Sequence, residues 1–340
     1  MKAAVYRETG DPDVITVTDR PDPVPGPGEV VVRIHRSGVN PTDWKARRGS
    51  APGTVVDPPQ VPNHDGAGVV EAVGVGVEAA LHGLPVWVWE AAYQRPDGTA
   101  QELAVVPARQ VVLLPDSAGF DVGASLGVPF ITAHRCLTVT EDGPTRLGPG
   151  TLEGRTVLVA GGAGAVGNAA IQLARWSDAT VITTVSGPEK AHLAARAGAD
   201  HVLDYRRQDV VAEVRAIAPH GVNTVVEVSP AVNAALDAEV LARHGSVAVY
   251  ANNGGSTVEI PVRPSMVPNV RWQFVLVYNA PETWRARALE DVAAAVLDGA
   301  VRVGPEAGLP LHHFPLEQGG EAHAAVENGA VGKVLIDVIA

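Results

Sequence analysis

Gly162, Gly164 and Gly167 stand at the spacing G-x-G-x-x-G within Gly161-Gly162-Ala163-Gly164-Ala165-Val166-Gly167. The apolar run Thr156 to Ala160 precedes them and an Ala-rich stretch beginning near Asn168 follows, which is the order strand, tight turn, helix. Residues without a Cβ let backbone come close to a bulky anion, and a helix N-terminus offers it free N–H groups and a partial positive charge. The chemistry these residues suit is the holding of a pyrophosphate, and so of a dinucleotide. A chain with 36 glycines can also place three of them in a plain tight turn. The strand in front, the helix behind and four further strand candidates downstream favour the binding site.

The next strand candidate, in TVITTVSGPEK, ends at Ser186 with Lys190 shortly after it. An acidic residue at that tip would bind the ribose 2′-OH of NAD and repel a 2′-phosphate. None is there, since Glu189 lies beyond the turn, and the following strand candidate ends in Asp204-Tyr205-Arg206-Arg207. Ser186, Lys190, Tyr205 and Arg206 are therefore candidates for a 2′-phosphate pocket, and NADPH is the expected cofactor. The competing reading for Lys190 and Arg206 is a solvated helix start and loop.

These residues need a scaffold, and 340 residues suit two domains, each with its own core. Hydrophobic residues reach 46% while aromatics are 4%, which favours a Val-rich parallel sheet under Ala-rich helices. Short Val-rich runs between Pro- and Gly-rich turns occupy residues 1 to about 125. Strand and helix then alternate through about residue 264, with TVLVAG, TVITTVS, HVLDY, TVVEVS and SVAVYA as the strands. The expected fold class is α/β, with a doubly wound Rossmann domain over 126–264 and a β-rich domain over 1–125 completed by 265–340. In that last segment a β-prone stretch runs from Asn269 to Tyr278, a helix from about Glu282 to Gly299, and a closing strand from Gly332 to Val338.

A formal net charge of −12 without a Lys/Arg block argues against nucleic acid or an anionic membrane surface as partner. No apolar run approaches a membrane span and the N-terminus lacks a signal-peptide pattern, so a cytoplasmic protein is expected. The single cysteine, Cys136, reads as a packed thiol. Trp87 and Trp89 read as strand packing, and His312-His313 as a surface turn.

Several strings, in order along nearly the whole chain, carry a resemblance: Ser37-Gly38-Val39-Asn40-Pro41-Thr42-Asp43, Asp65-Gly66-Ala67-Gly68-Val69-Val70-Glu71-Ala72-Val73-Gly74, Pro129-Phe130-Ile131-Thr132-Ala133, Gly164-Ala165-Val166-Gly167, Gly198-Ala199-Asp200 and Gly332-Lys333-Val334. They resemble the zinc-independent quinone oxidoreductase (zeta-crystallin-like) branch of the medium-chain dehydrogenase/reductase superfamily. The resemblance implies a GroES-like catalytic domain beside the Rossmann domain, with NADPH and substrate meeting in the interdomain cleft. It also implies a homodimer paired through the strand near Asn269 to Tyr278.

In zinc-dependent relatives two cysteines and a histidine hold the metal. Here Asn40 and Val128 stand at the cysteine positions and His64-Asp65 at the histidine position. One His with one carboxylate cannot supply three protein ligands. Glu90 to Ala100 replaces the four-cysteine structural lobe without a cysteine. By resemblance, Asn40 faces the nicotinamide end and Thr132 touches its carboxamide, against the plainer readings of a turn residue and a helix position. Tyrosines that line the quinone pocket in relatives correspond to Lys45 and Ala51. Lys45 is either a donor toward a developing oxyanion or a solvated strand-end residue. Some relatives use an arginine near the C-terminus on the 2′-phosphate, a place that Lys333 would take here. The expected reaction is metal-free hydride transfer from NADPH to a small-molecule quinone. The alternatives are an activated alkene (enone, enal or enoyl-thioester) as acceptor, or a cofactor-binding redox sensor or crystallin-like protein with little catalysis.

Overall fold

The computed structural model describes residues 1–339. The chain divides into two compact units, one of Met1–Val128 with the chain from Leu311 onward, the other of Pro129–Pro310.

The first unit holds β1 (Lys2–Glu8), β2 (Thr16–Asp19), β3 (Glu29–Val39), α1 (Pro41–Arg48), β4 (Val55–Gln60), β5 (Asp65–Val73), β6 (Pro85–Val88), β7 (Leu103–Pro107) and β8 (Val111–Leu113). Helix α2 (Phe120–Leu137) carries the division between the units, at Pro129. The second unit continues with β9 (Thr156–Ala160), α3 (Ala165–Trp176), β10 (Thr180–Val185), α4 (Pro188–Ala197), β11 (His201–Asp204), α5 (Val210–Ile217), β12 (Val222–Glu227), α6 (Pro230–Val240), β13 (Leu241–Val249), α7 (Val262–Met266), β14 (Arg271–Phe274) and α8 (Glu282–Leu297). Strand β15 (Leu311–Pro315), α9 (Gly319–Glu327) and β16 (Lys333–Asp337) return to the first.

In the first unit a seven-stranded sheet runs β15-β16-β3-β5-β6-β8 with β7 added on β3, and β2-β1-β4 forms a three-stranded sheet. Its central strand β3 alternates: Val30, Val32 and Ile34 point into a core with Val70, Val86, Val88 and Val106. The second unit has six parallel strands in the order β11-β10-β9-β12-β13-β14. Numbered by their appearance this is 3-2-1-4-5-6, the doubly wound Rossmann order, so the expected α/β class holds. The strands are Val-rich because helices cover both faces, with Leu158, Ile182, Val225 and Val247 buried together.

The return to the first unit comes at Leu311, not at 265. Asp291 on α8 explains why: it accepts hydrogen bonds from Arg146 Nε at 2.6 Å and Leu147 N at 2.7 Å and lies 2.8 Å from His134 Nε2. On α3, Asn168 Nδ2 donates to Ala307 O and Gln172 bonds the backbone of Arg302. These ties hold the chain up to Pro310 against the Rossmann sheet. The stretch Asn269 to Tyr278 is also not one strand, because pairing ends at Phe274 and a 3-10 turn follows over Val277–Asn279. His312 and His313 sit in β15 and bond Val331 O and Asp337, so they form part of a strand and not a turn. Trp87, Trp89 and Cys136 are buried. Among the described residues no helix is long and apolar enough to cross a membrane.

Candidate functional site

Each glycine of the G-x-G-x-x-G turn meets a different constraint. A Cβ on Gly162 would lie 2.1 Å from Thr183 Oγ1, and one on Gly167 would lie 2.4 Å from Gly161 O. These two are needed to pack turn, helix and strand. A Cβ on Gly164 would meet no protein atom closer than Gly161 O at 3.5 Å, so folding does not demand a glycine there. Gly164 is also the N-cap of α3 and offers the helix no side-chain cap, leaving first-turn N–H groups available. An open glycine in front of an uncapped N-terminus fits a pyrophosphate whose oxygens take those N–H groups. Ala163, Ala165 and Val166 complete the turn through their backbone.

A cavity of about 690 Å³ opens from this turn along the carboxyl edge of the sheet, lined by Gly161, Lys190, Tyr205, Ser229 and Asn253 among others. A second, of about 370 Å³, is lined by Ser186, Gly187, Pro188, Glu189 and Lys190. Lys190 borders both, so the structure brings together Ser186, Lys190 and Tyr205. Helix α4 starts at Pro188 behind Gly187, again without a side-chain cap. Arg206 is exposed, donates its backbone N–H to Asp204 Oδ1 and lines neither cavity. Glu189 faces the smaller cavity and opposes an anion there.

Sequence reasoning missed the acidic floor of the larger cavity. Glu227, at the end of β12, accepts hydrogen bonds from Ser229 N and Asn233 Nδ2. Asp237, one turn beyond Asn233 on α6, is buried beside it. Burial and then the Glu227 carboxylate push the Asp237 pKa well above its ordinary value, and burial raises Glu227 as well. The signal available was a strand ending in Val-Glu-Val-Ser-Pro with Asn233 and Asp237 four residues apart on the helix that follows.

In the first unit Asn40 joins a buried polar network. Its Nδ2 donates to Asp65 Oδ2 at 2.7 Å, while its Oδ1 accepts from Lys333 Nζ at 2.8 Å. Lys333 Nζ also lies 3.4 Å from Asp65 Oδ2, and Val128 N donates to Asp65 Oδ1 at 2.9 Å. Asn40 caps α1 in a capping box with Asp43, whose Oδ2 accepts from Asn40 N at 2.6 Å. So Asn40 is both turn residue and network member. Burial, then Asp65, push Asp43 up to about 8, and burial pushes His64 down to about 4, leaving that imidazole neutral. Gly38 lies against this place: a Cβ there would lie 2.1 Å from Ala124 O and 3.1 Å from Lys333 Nζ.

The expected 2′-phosphate role of Lys333 is thereby corrected. Its ammonium, 2% exposed with the residue, is committed to Asn40 and Asp65 inside the first unit. Lys45 is exposed on α1, not at a strand end, with its ammonium 5.8 Å from the Trp44 ring centre. Thr132 is a buried helix residue on α2. Among the described residues no three His, Cys, Asp or Glu side chains converge as metal ligands.

Comparison with known proteins adds the following. The family model described as zinc-binding dehydrogenase matches residues 165–294, and the alcohol dehydrogenase GroES-like domain matches residues 26–116. The human (Homo sapiens) quinone oxidoreductase is 28% identical over 99% of this chain and 97% of its own. A mycobacterial protein solved in complex with NADPH is 30% identical over 99% of both chains, with a TM-score of 0.80. A crystal structure of an NAD-dependent alcohol dehydrogenase is 27% identical over 100% of both chains, with a TM-score of 0.85.

Proposed function

We propose that this chain, which belongs to the medium-chain dehydrogenase/reductase superfamily in its quinone oxidoreductase branch, transfers hydride from NADPH to a quinone without a metal. Its class as a medium-chain oxidoreductase follows from that membership; cofactor, acceptor and metal independence are our reading. The observation that carries it is the cavity joining the glycine turn to Lys190 and Tyr205, with Ser186 at the strand tip where an NAD-type site has an acid.

Bound there, NADPH supplies a hydride from C4 of its nicotinamide. The turn at Gly162 to Gly167 holds the pyrophosphate by backbone N–H groups, and Ser186, Lys190 and Tyr205 take the 2′-phosphate. Asn40 and Thr132 are assigned, on the family resemblance, to alignment of the ring. Lys333 and Asp65 bond the two ends of the Asn40 amide and keep it from rotating. Negative charge that develops on the acceptor oxygen is met by hydrogen-bond donors or solvent protons.

Zinc does not fit this donor set. Asn40 and Val128 supply no thiolate, and the Lys333 ammonium already balances Asp65 where a dication would have to enter. A second reading, an alkene as acceptor, is favoured by one observation: Lys45 and Ala51, where relatives carry pocket tyrosines, are both exposed. We further assign a homodimer paired through β14, an edge strand that among the described residues bonds only β13. A monomer in sedimentation at micromolar concentration would refute it.

The deciding experiment follows NADPH oxidation with 1,4-benzoquinone, 9,10-phenanthrenequinone, a simple enone and crotonyl-thioester. Quinone turnover is expected. Turnover of the enone or thioester alone establishes the second reading, and tight NADPH binding without any turnover establishes a binding protein instead.

A further inference from the structure

Arg135, in the last turn of α2, differs from the arginines near it. Arg146 pairs with Glu290 and Asp291, and Arg271 pairs with Glu141. The half-buried Arg135 guanidinium makes no ion pair or hydrogen bond among the described residues; its contact is with the Trp284 ring, 5.3 Å from guanidinium carbon to ring centre. That ring is itself fixed, because the indole N–H donates to Thr138 Oγ1 at 3.2 Å. Burial lowers the Arg135 pKa, and no carboxylate lies near enough to counter it. In a chain with 38 acidic and 26 basic residues, a partly desolvated cation has been left without an acid.

The guanidinium opens into a cavity of about 220 Å³, lined also by Gln273, Phe274, Leu276, Asn279 and Pro281. It therefore combines one held cation with an apolar wall, beside the Gln273 amide, which donates one N–H to Phe274 O at 2.8 Å. This is the donor set for a small organic oxyanion, since the guanidinium fork matches a carboxylate in two parallel hydrogen bonds.

Topology says which part of the ligand would bring that anion. All six strands are parallel, so the cavity past Phe274 lies on the same carboxyl edge as the glycine turn past β9. The 2′-phosphate residues follow β10 and β11, on one side of β9. A dinucleotide crossing the turn runs its other half toward β12, β13 and β14. The Arg135 cavity stands on that reacting side.

We propose that Arg135 receives an anionic group of the acceptor, so that the substrate class is a quinone or activated alkene bearing a carboxylate or similar oxyanion. This rests on the reductase reading above. The test compares matched acceptors with and without the anion, 4-oxopent-2-enoate against 3-penten-2-one and 1,2-naphthoquinone-4-sulfonate against 1,2-naphthoquinone, by kcat/KM.

Wild type should favour the anionic member about tenfold or more, the effect of one charge-assisted contact. Arg135→Gln should bring the ratio close to one, and Arg135→Lys, which keeps charge but not the fork, should fall between. A ratio unmoved by Arg135→Gln, or no preference in wild type that reduces both members, overturns this proposal and leaves the reductase reading standing. Wild type that reduces neither member of either pair refutes both. Dissociation of a wild-type dimer by Arg135→Gln would assign the guanidinium to a carboxylate of a second copy and also overturn it.

Discussion

Replacing Lys333 by Met keeps much of the side chain's length and removes its charge. Asp65 is then a fully buried carboxylate that keeps Asn40 Nδ2 and Val128 N as donors but has lost the Lys333 ammonium 3.4 Å away. Removing one member of a buried pair costs ~3–5 kcal/mol. The two remaining donors argue for the lower end, ~3 kcal/mol. For a domain of this size each kcal/mol shifts Tm by ~2–4 °C, so melting of the first unit should fall by ~6–12 °C.

The pH dependence supplies the sharper check. Burial raises the Asp65 pKa and Lys333 lowers it, so the variant keeps the first effect and loses the second. A carboxyl whose folded pKa stands above its unfolded value of ~3.9 contributes stability that is full below that value and lost as pH rises through the folded pKa. The deficit of Lys333→Met relative to wild type should thus shrink as pH falls, because protonation of Asp65 removes the uncompensated charge. Adding Asp65→Asn should recover most of the loss at pH 8. Thermal unfolding followed by circular dichroism measures both. A deficit that does not change with pH, or a double variant no better than the single, would refute the claim that an uncompensated charge is the cost. The ratio of NADPH to NADH affinity should be unchanged in Lys333→Met; a selective loss of NADPH would restore the 2′-phosphate role the structure denies it.

Lys190→Ala should weaken NADPH roughly ten- to a hundredfold, since a charge-assisted bond is worth ~1.5–3 kcal/mol, and hardly affect NADH; equal losses in titration would separate Lys190 from the phosphate. Gly164→Ala should melt like wild type and bind dinucleotide poorly, whereas Gly162→Ala, with its Cβ 2.1 Å from Thr183 Oγ1, should lose ~1–3 kcal/mol of stability in urea unfolding. Treatment with a chelator should leave turnover unchanged; about one tightly held metal per chain, with activity lost on its removal, would contradict the metal-free reading. Asp43, raised to about 8, contributes stability that is full below ~3.9 and lost as pH rises through about 8, so Asp43→Asn should flatten the unfolding profile over pH 4 to 8.

What the sequence disclosed depends on how far along the chain each constraint acts. The glycine turn is a local object: strand, turn and helix lie within about twenty residues, and each glycine answers to neighbours in that span or in the adjoining strand. Its chemistry can be read without a fold. The Rossmann strands are legible for a similar reason, because burial on both faces makes each one a continuous apolar run. Lys333 is the opposite case. Its place beside Asn40 follows from the register of β16 on β3, where Val334 faces Val39 and Leu335 faces Gly38, so residues 293 apart meet only after the sheet has formed. A lysine next to a glycine near the C-terminus looks exposed in the sequence, and resemblance alone then pointed to phosphate. The late return at Leu311 is of the same kind, since Asp291 holds α8 to the second unit through partners near residues 134 and 147 that no helical periodicity announces. The Glu227–Asp237 pair lies between these extremes. A strand-end acid followed by a helix with Asn and Asp on one face is visible in the sequence, but the helix must fold back over the strand before the Glu227 carboxylate raises the proton affinity of Asp237. Charge that is compensated only across the fold is the part a residue-by-residue pass underestimates, and the Asn40–Asp65–Lys333 network is of that type.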